Sequence, residues 1–169
     1  MKYFPRRISA LLTTVSLLGI SALGTVRPVV ALESPKETET LIAEASYEEA
    51  IAYFQRAIRY MQQEKYDLAL AEFTRAIELD PKYANAYIGR GMIYTILEKW
   101  QAAFQDLNVA IRLNPRDGYA YLFRGYVYLA FNEKQNASVD LQTAADLFRR
   151  EGNQEMYDSA IKRLREIGQ

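Results

Sequence analysis

Equivalent residues recur every 34 positions in this chain, and that period restricts the possible fold more than any other feature. With Ala50, Ala84 and Gly118 as unit starts, the first half of each unit aligns Tyr53, Tyr87 and Tyr121, then Ala57, Gly91 and Gly125, then Tyr60, Tyr94 and Tyr128. The second half aligns Ala69, Ala103 and Ala137, then Phe73, Leu107 and Leu141, then Ala76, Ala110 and Ala144. Pro81 and Pro115 close the first two units, and Arg149 breaks that series. Two antiparallel helices approach closely only where side chains are small. Gly91, Ala103 and Ala110 therefore mark backbone contacts, and Tyr87, Tyr94 and Leu107 fill the space between. Pro115 cannot continue a helix, so it ends the second helix of its unit. A single unit cannot bury its apolar face alone, so neighbours must stack.

This order of aromatic, small, aromatic, small, bulky, small and Pro residues resembles the tetratricopeptide repeat (TPR) family over Ala50 to Glu151. The resemblance implies an all-α fold: a right-handed α-solenoid of three TPR helix pairs, units 50–83, 84–117 and 118–151, plus a C-terminal capping helix over 153–167. One departure recurs. Arg56, Arg90 and Arg124 stand where the family most often has Leu, and each has an acid sixteen residues later, Glu72, Asp106 and Asp140. The coupling predicts a partly buried ion pair in every unit, bridging its two helices or adjacent units and setting register more than raw stability.

Composition excludes several chemistries. The chain has no cysteine and no histidine, which removes disulfides, thiolate nucleophiles, Ser-His triads and zinc or haem ligation through these residues. No glycine-rich phosphate loop is present, no carboxylate spacing suggests a catalytic pair, and no cofactor is implied. The formal charge is zero, but Lys2, Arg6, Arg7 and Arg27 all lie in the first 31 residues, which hold no acid. Without them 17 basic residues face 21 acidic ones, a net charge near −4 that argues against a nucleic-acid partner.

Residues 1–31 join a basic start to an apolar stretch from Ile8 to Val26 and the small residues of Val29-Val30-Ala31, the pattern of a secretory signal peptide. The stretch is close to the ~20 residues that span a bilayer, so an uncleaved anchor, and with it membrane contact, is the alternative. Arg6-Arg7 is a weak match to a twin-arginine signal. Either way the repeats face an extracytoplasmic space, the periplasm or, in a photosynthetic bacterium, the thylakoid lumen. Residues 32–45, charged and holding Pro35, read as a flexible tether that turns helical near Leu41. Ser46 and Glu49 form a capping box that opens the first helix of the 46–169 domain. Helices are expected to end near Gln63, then to cover about 66–79, 84–97, 100–113, 118–131 and 134–150. Asn153 caps a last helix from Gln154 to Ile167. Asn136-Ala137-Ser138 has a glycosylation spacing, but Ala137 belongs to the packed face.

In a stacked array the first helix of each unit lines the concave surface. With Tyr53, Ala57 and Tyr60 committed to packing, the other face of these helices offers Phe54, Ile58 and Met61 in unit one, Asn85, Ile88 and Met92 in unit two, and Tyr119, Leu122, Phe123 and Tyr126 in unit three. These ten are the candidate partner-binding residues. The family's best-known ligand mode, a clamp of Lys, Asn and Arg for an acidic C-terminus, has Phe54, Ile58, Gly89, Tyr119 and Phe123 at the matching places. The clamp is therefore absent, and the apolar face suits an amphipathic helix or hydrophobic segment. The function read from the sequence is a non-enzymatic scaffold or assembly module for a protein partner. The alternative is a structural protein that self-associates through the same face.

Overall fold

The computed structural model describes residues 35–168, and among them the chain forms seven helices and no strand. They are α1 (Pro35–Gln62), α2 (Tyr66–Leu79), α3 (Ala84–Ile96), α4 (Trp100–Leu113), α5 (Gly118–Ala130), α6 (Lys134–Glu151) and α7 (Gln154–Ile167). The leader, its apolar stretch and its arginine pair lie outside the described residues.

α1 departs from expectation at its start. A flexible tether to residue 45 and a cap at Ser46 were expected, but one helix of 28 residues runs from Pro35 through both. Proline is well suited to a first helical turn, because its fixed φ is helical and its missing N–H would be unbonded there anyway. After Pro35 no Gly or Pro interrupts the run, and Glu39 favours the positive end of the helix dipole.

Each unit turns between its helices through a residue in the left-handed region: Glu64 (φ 57°), Glu98 (φ 55°) and Asn132 (φ 60°), again 34 apart. The next amide reaches back to the helix carbonyl five residues earlier, from Lys65 to Tyr60 (2.9 Å), Lys99 to Tyr94 (2.8 Å) and Glu133 to Tyr128 (2.8 Å). Between units the chain turns differently. The Asp80 and Asn114 side chains accept from the amides of Lys82 and Arg116, with Pro81 and Pro115 in between. Where Arg149 replaces proline, α6 continues to Glu151 and stops at Gly152 (φ 73°).

Helices pack in pairs, α1 on α2, α3 on α4 and α5 on α6, with α7 on α6. The first helices of neighbouring units also touch, α1 with α3 and α3 with α5, whereas the second helices do not form such a row. The array therefore curves toward α1, α3 and α5, an α-solenoid with these helices inside. Phe73, Leu107 and Leu141 are fully buried at equivalent positions. A Cβ on Gly91 would lie 3.0 Å from Leu107 Cγ, and one on Gly125 2.9 Å from Leu141 Cγ, so glycine there sets the spacing of each pair. Asn153 caps α7, accepting from the Met156 amide at 3.2 Å, and α7 buries Ala160 against Phe148 and Leu141.

The ion pairs form inside each unit. Arg90 donates Nε to Asp106 Oδ2 (2.7 Å) and Nη2 to Oδ1 (2.9 Å), and Arg124 binds Asp140 the same way at 2.7 and 2.8 Å. The remaining Nη1 crosses to the preceding unit, from Arg90 to Thr74 Oγ1 (3.1 Å) and from Arg124 to Asn108 Oδ1 (2.6 Å). The ion pair itself therefore bridges the two helices of one unit and not adjacent units, and in units two and three a further hydrogen bond to a neutral side chain ties the arginine to the unit before. The carboxylate hydrogen bond outweighs desolvation and raises the pKa of each guanidinium above its ordinary value.

Candidate partner-binding groove

The inner face of α1 and α3 and the start of α5 enclose an open groove of roughly 310 Å³. Its α1 wall is Phe54, Ile58 and Met61, spaced i, i+4 and i+7 on one side of the helix. Asn85, Ile88, Gly89 and Met92 follow the same spacing on α3, and Asp117 and Tyr119 close the α5 end. Asn85, Asp117 and the Tyr119 hydroxyl are the polar groups in this lining.

The floor comes from the second helix of unit one. A Cβ on Gly89 would lie 2.3 Å from Phe73 Cζ, so only glycine lets the Phe73 ring pass beneath α3. Phe54 stacks on this ring at 5.6 Å between centroids and on Tyr83 at 5.2 Å. In unit three the sizes are exchanged: Phe123 stands at the Gly89 position and packs over Leu107, the counterpart of Phe73. The groove is therefore deep over unit one and is filled in by unit three.

Seven of the ten expected residues come together here: Phe54, Ile58, Met61, Asn85, Ile88, Met92 and Tyr119. Of these, Ile88 is nearly buried and serves as floor, against Ala110, Ala120 and Tyr119. Leu122, expected on the presented face, is 3% exposed and packs with Leu141, Ala144 and Phe148. Ile88 and Leu122 share one repeat position, and the next helix along the array seals it, which a single-helix projection does not show. Phe123 is half-buried in the seam between units two and three. Tyr126 lies in a separate polar notch with Ser159, Lys162, Arg163 and Glu166, where the Arg163 guanidinium is 5.2 Å from its ring.

Sequence reasoning missed Asp117 and the α7 side of the notch. Asp117 precedes Gly118, and an Asp before a helix start is an N-cap signal. Its side chain accepts from the Tyr119 amide at 2.9 Å. Burial pushes its carboxyl above the ordinary value, with the Tyr119 and Ala120 amides pulling the other way. No group of His, Cys, Asp or Glu among the described residues is arranged to hold a metal ion. No described helix is long and apolar enough to cross a membrane.

A family model of the tetratricopeptide repeat matches residues 54–117. No curated protein matches the chain. Among solved structures, the first TPR domain of Spaghetti (RPAP3) bound to the HSP90 peptide SRMEEVD is 28% identical, covering 72% of this chain and 92% of that one with a TM-score of 0.65. The second TPR domain of human RPAP3, in complex with the HSP70 peptide SGPTIEEVD, is 25% identical over 73% of this chain and 98% of that one, TM-score 0.64. The translocator chaperone SycD of Yersinia enterocolitica has the same fold at 16% identity, covering 72% and 92%, TM-score 0.67. The 34-residue period, the paired helices and the family match over the central units agree that this chain is a tetratricopeptide repeat protein.

Proposed function

We propose that the protein is an interaction module that holds an apolar or amphipathic segment of a protein partner in the concave groove, as a scaffold or assembly factor exported from the cytoplasm. The observation that carries this is the groove itself. Phe54, Ile58, Met61, Met92 and Tyr119 are half-exposed on its walls, with no charged side chain but Asp117 among the residues lining it. Such walls favour apolar anchors filling pockets over a charged terminus. The RPAP3 domains hold HSP90 and HSP70 peptides, which supports peptide capture as the mode. The residues at the matching clamp places here favour a different, more apolar ligand. The leader supports an extracytoplasmic location, periplasm or lumen, and export is checked by fusing a reporter active only outside the cytoplasm to the C-terminus.

The direct test uses the immobilised chain and a Met61→Glu, Met92→Glu variant, incubated with extract of the producing cell and, separately, with the SRMEEVD peptide. A partner retained by the first and lost by the second supports the reading. Equal retention by both, or tight binding of SRMEEVD, removes it.

A further inference from the structure

The first three turns of α1, to Ala45, stand clear of the array, and the fourth touches it where the Tyr47 ring meets Tyr83 edge-on at 6.0 Å between centroids. From Lys36 to Glu49 the described side chains are exposed apart from half-buried Ser46, and Ala50 is the first buried residue. Leu41 and Ile42 are 50% and 62% exposed, and Ala45 lies on the same side of the helix. By sequence, residues 35–49 carry one lysine and five glutamates. The protein thus presents, on a preformed helix, an acidic amphipathic segment of the kind its groove fits.

The two cannot meet within one molecule. α1 is continuous from Pro35 to Gln62, so Leu41 lies thirteen residues, about 20 Å at 1.5 Å per residue, before the Phe54 wall on the same rod. A flexible tether could fold back into the groove, whereas a helix cannot. Charge bears on the meeting at the α7 end, since inside the groove the one charged side chain is the Asp117 carboxylate, which the acidic positions of the segment must avoid. Tyr119 in the groove and Tyr126 in the polar notch are two turns apart on α5, about 10 Å. Lys162 and Arg163 line that notch beside Glu166, whose carboxylate already accepts from Arg163 at 2.8 Å, so Lys162 carries most of the attraction. Glutamates flank Leu41-Ile42 on both sides within two turns, so either helix polarity brings a carboxylate toward those cations.

We propose that residues 35–49 of a second copy of this chain occupy the groove, Leu41 and Ile42 in its apolar part and glutamates toward Lys162 and Arg163. Each copy has one segment and one groove, so a reciprocal exchange closes as a two-fold dimer. The exchanged helix covers the groove until a partner segment displaces it. This inference rests on the reading of the groove as a segment-binding surface.

The absence of native cysteine gives a clean test on the full chain. Leu41→Cys and Met92→Cys chains, mixed and mildly oxidised, are expected to give a covalent dimer at several times the yield of either variant alone. In sedimentation, Leu41→Glu, Ile42→Glu should weaken self-association at least tenfold while circular dichroism is unchanged, since both sites are exposed. A labelled peptide of residues 35–49 should bind that monomeric variant, lose affinity in high salt, and fail to bind when Met92→Glu is added. A dimer formed equally well by Leu41→Cys alone, meaning that the segments pair with each other, overturns the proposal. So does a wild-type monomer. If the wild type is monomeric yet Met61→Glu, Met92→Glu still abolishes partner capture, only this inference falls. If that variant changes neither self-association nor capture, the groove reading falls as well.

Discussion

Arg56, Arg90 and Arg124 hold one repeat position, yet the first makes a single bond in the open and the other two sit in closed networks. Arg56 donates only Nε to Glu72, at 2.8 Å, and its side chain is 42% exposed. Arg124 makes two bonds to Asp140 and a third to Asn108 of the preceding unit, and is 17% exposed. The difference comes from what lies before each unit. α2 offers Thr74 to Arg90 and α4 offers Asn108 to Arg124, whereas the residue sixteen before Arg56 is Thr40 on α1 itself, whose hydroxyl donates to the Lys36 carbonyl. Repeat position selects the residue. The neighbouring helix pair decides how much that residue contributes.

The widest gap should appear on removing the arginines. Arg124→Met leaves Asp140 buried without its partner and should cost about 3–5 kcal/mol, with Arg90→Met close behind. Arg56→Met should cost far less than either, as exposed pairs do. Denaturant titration of the three variants measures this, and similar costs would end the distinction between outer and inner units. Replacing Asp140 by Leu as well should recover much of the Arg124→Met loss, because no lone charge then remains.

The next contrast is steric. Unit one has Ala57 where Gly91 and Gly125 stand, so a methyl fits in the outer pair but meets Leu107 or Leu141 in the inner ones. Gly91→Leu should lower stability by at least the ~1–3 kcal/mol of overpacked cores. A melting temperature equal to wild type would mean that the helices are not held at that distance.

Asp117 sharpens the comparison at helix starts, since α5 has a side-chain cap and α3, preceded by Tyr83, has none. Asp117→Ala should cost ~1 kcal/mol through loss of the cap, while Asp117→Asn keeps it. The folded-state pKa of Asp117 is raised, so the folded chain binds this proton more tightly than the unfolded chain. Its contribution therefore weakens as pH rises from about 4, its ordinary range, and Asn should remove that slope. Stability profiles of the two proteins across acidic pH are the check; parallel profiles would contradict the assignment.

The smallest effect belongs to the turns, which are alike in all three units. Glu98→Gly relieves a left-handed residue worth ~1–2 kcal/mol, offset in part by the freedom glycine adds to the unfolded chain. The net gain should be a few tenths to ~1 kcal/mol, and smaller for Asn132→Gly because Asn tolerates that region. A loss of stability at Glu98 would show that its side chain matters more than its backbone.

Helix bounds from α2 to α7 were legible to within one residue, because proline, small-residue spacing and Asn153 are local signals that tertiary contacts only reinforce. The coupling of Arg90 to Asp106 was legible from a constant separation of sixteen. The continuity of α1 was not, since Pro35 and a run of glutamates describe a solvated linker and an exposed helix equally well. Nor was the seal over Leu122, which depends on where α7 comes to rest.

The amino-acid sequence by itself determined the repeat, the helix pairs, the arginine-to-carboxylate pairing and an apolar inner face, because each follows from periodicity along one chain. Tertiary structure alone decided which inner-face residues remain open. Stacking sealed Ile88 and Leu122, drew the Phe73 ring under Gly89 to deepen the groove, and left Phe54, Met61, Met92 and Tyr119 on its walls. Burial is a property of neighbours, and neighbours on other helices are placed only when the pairs stack.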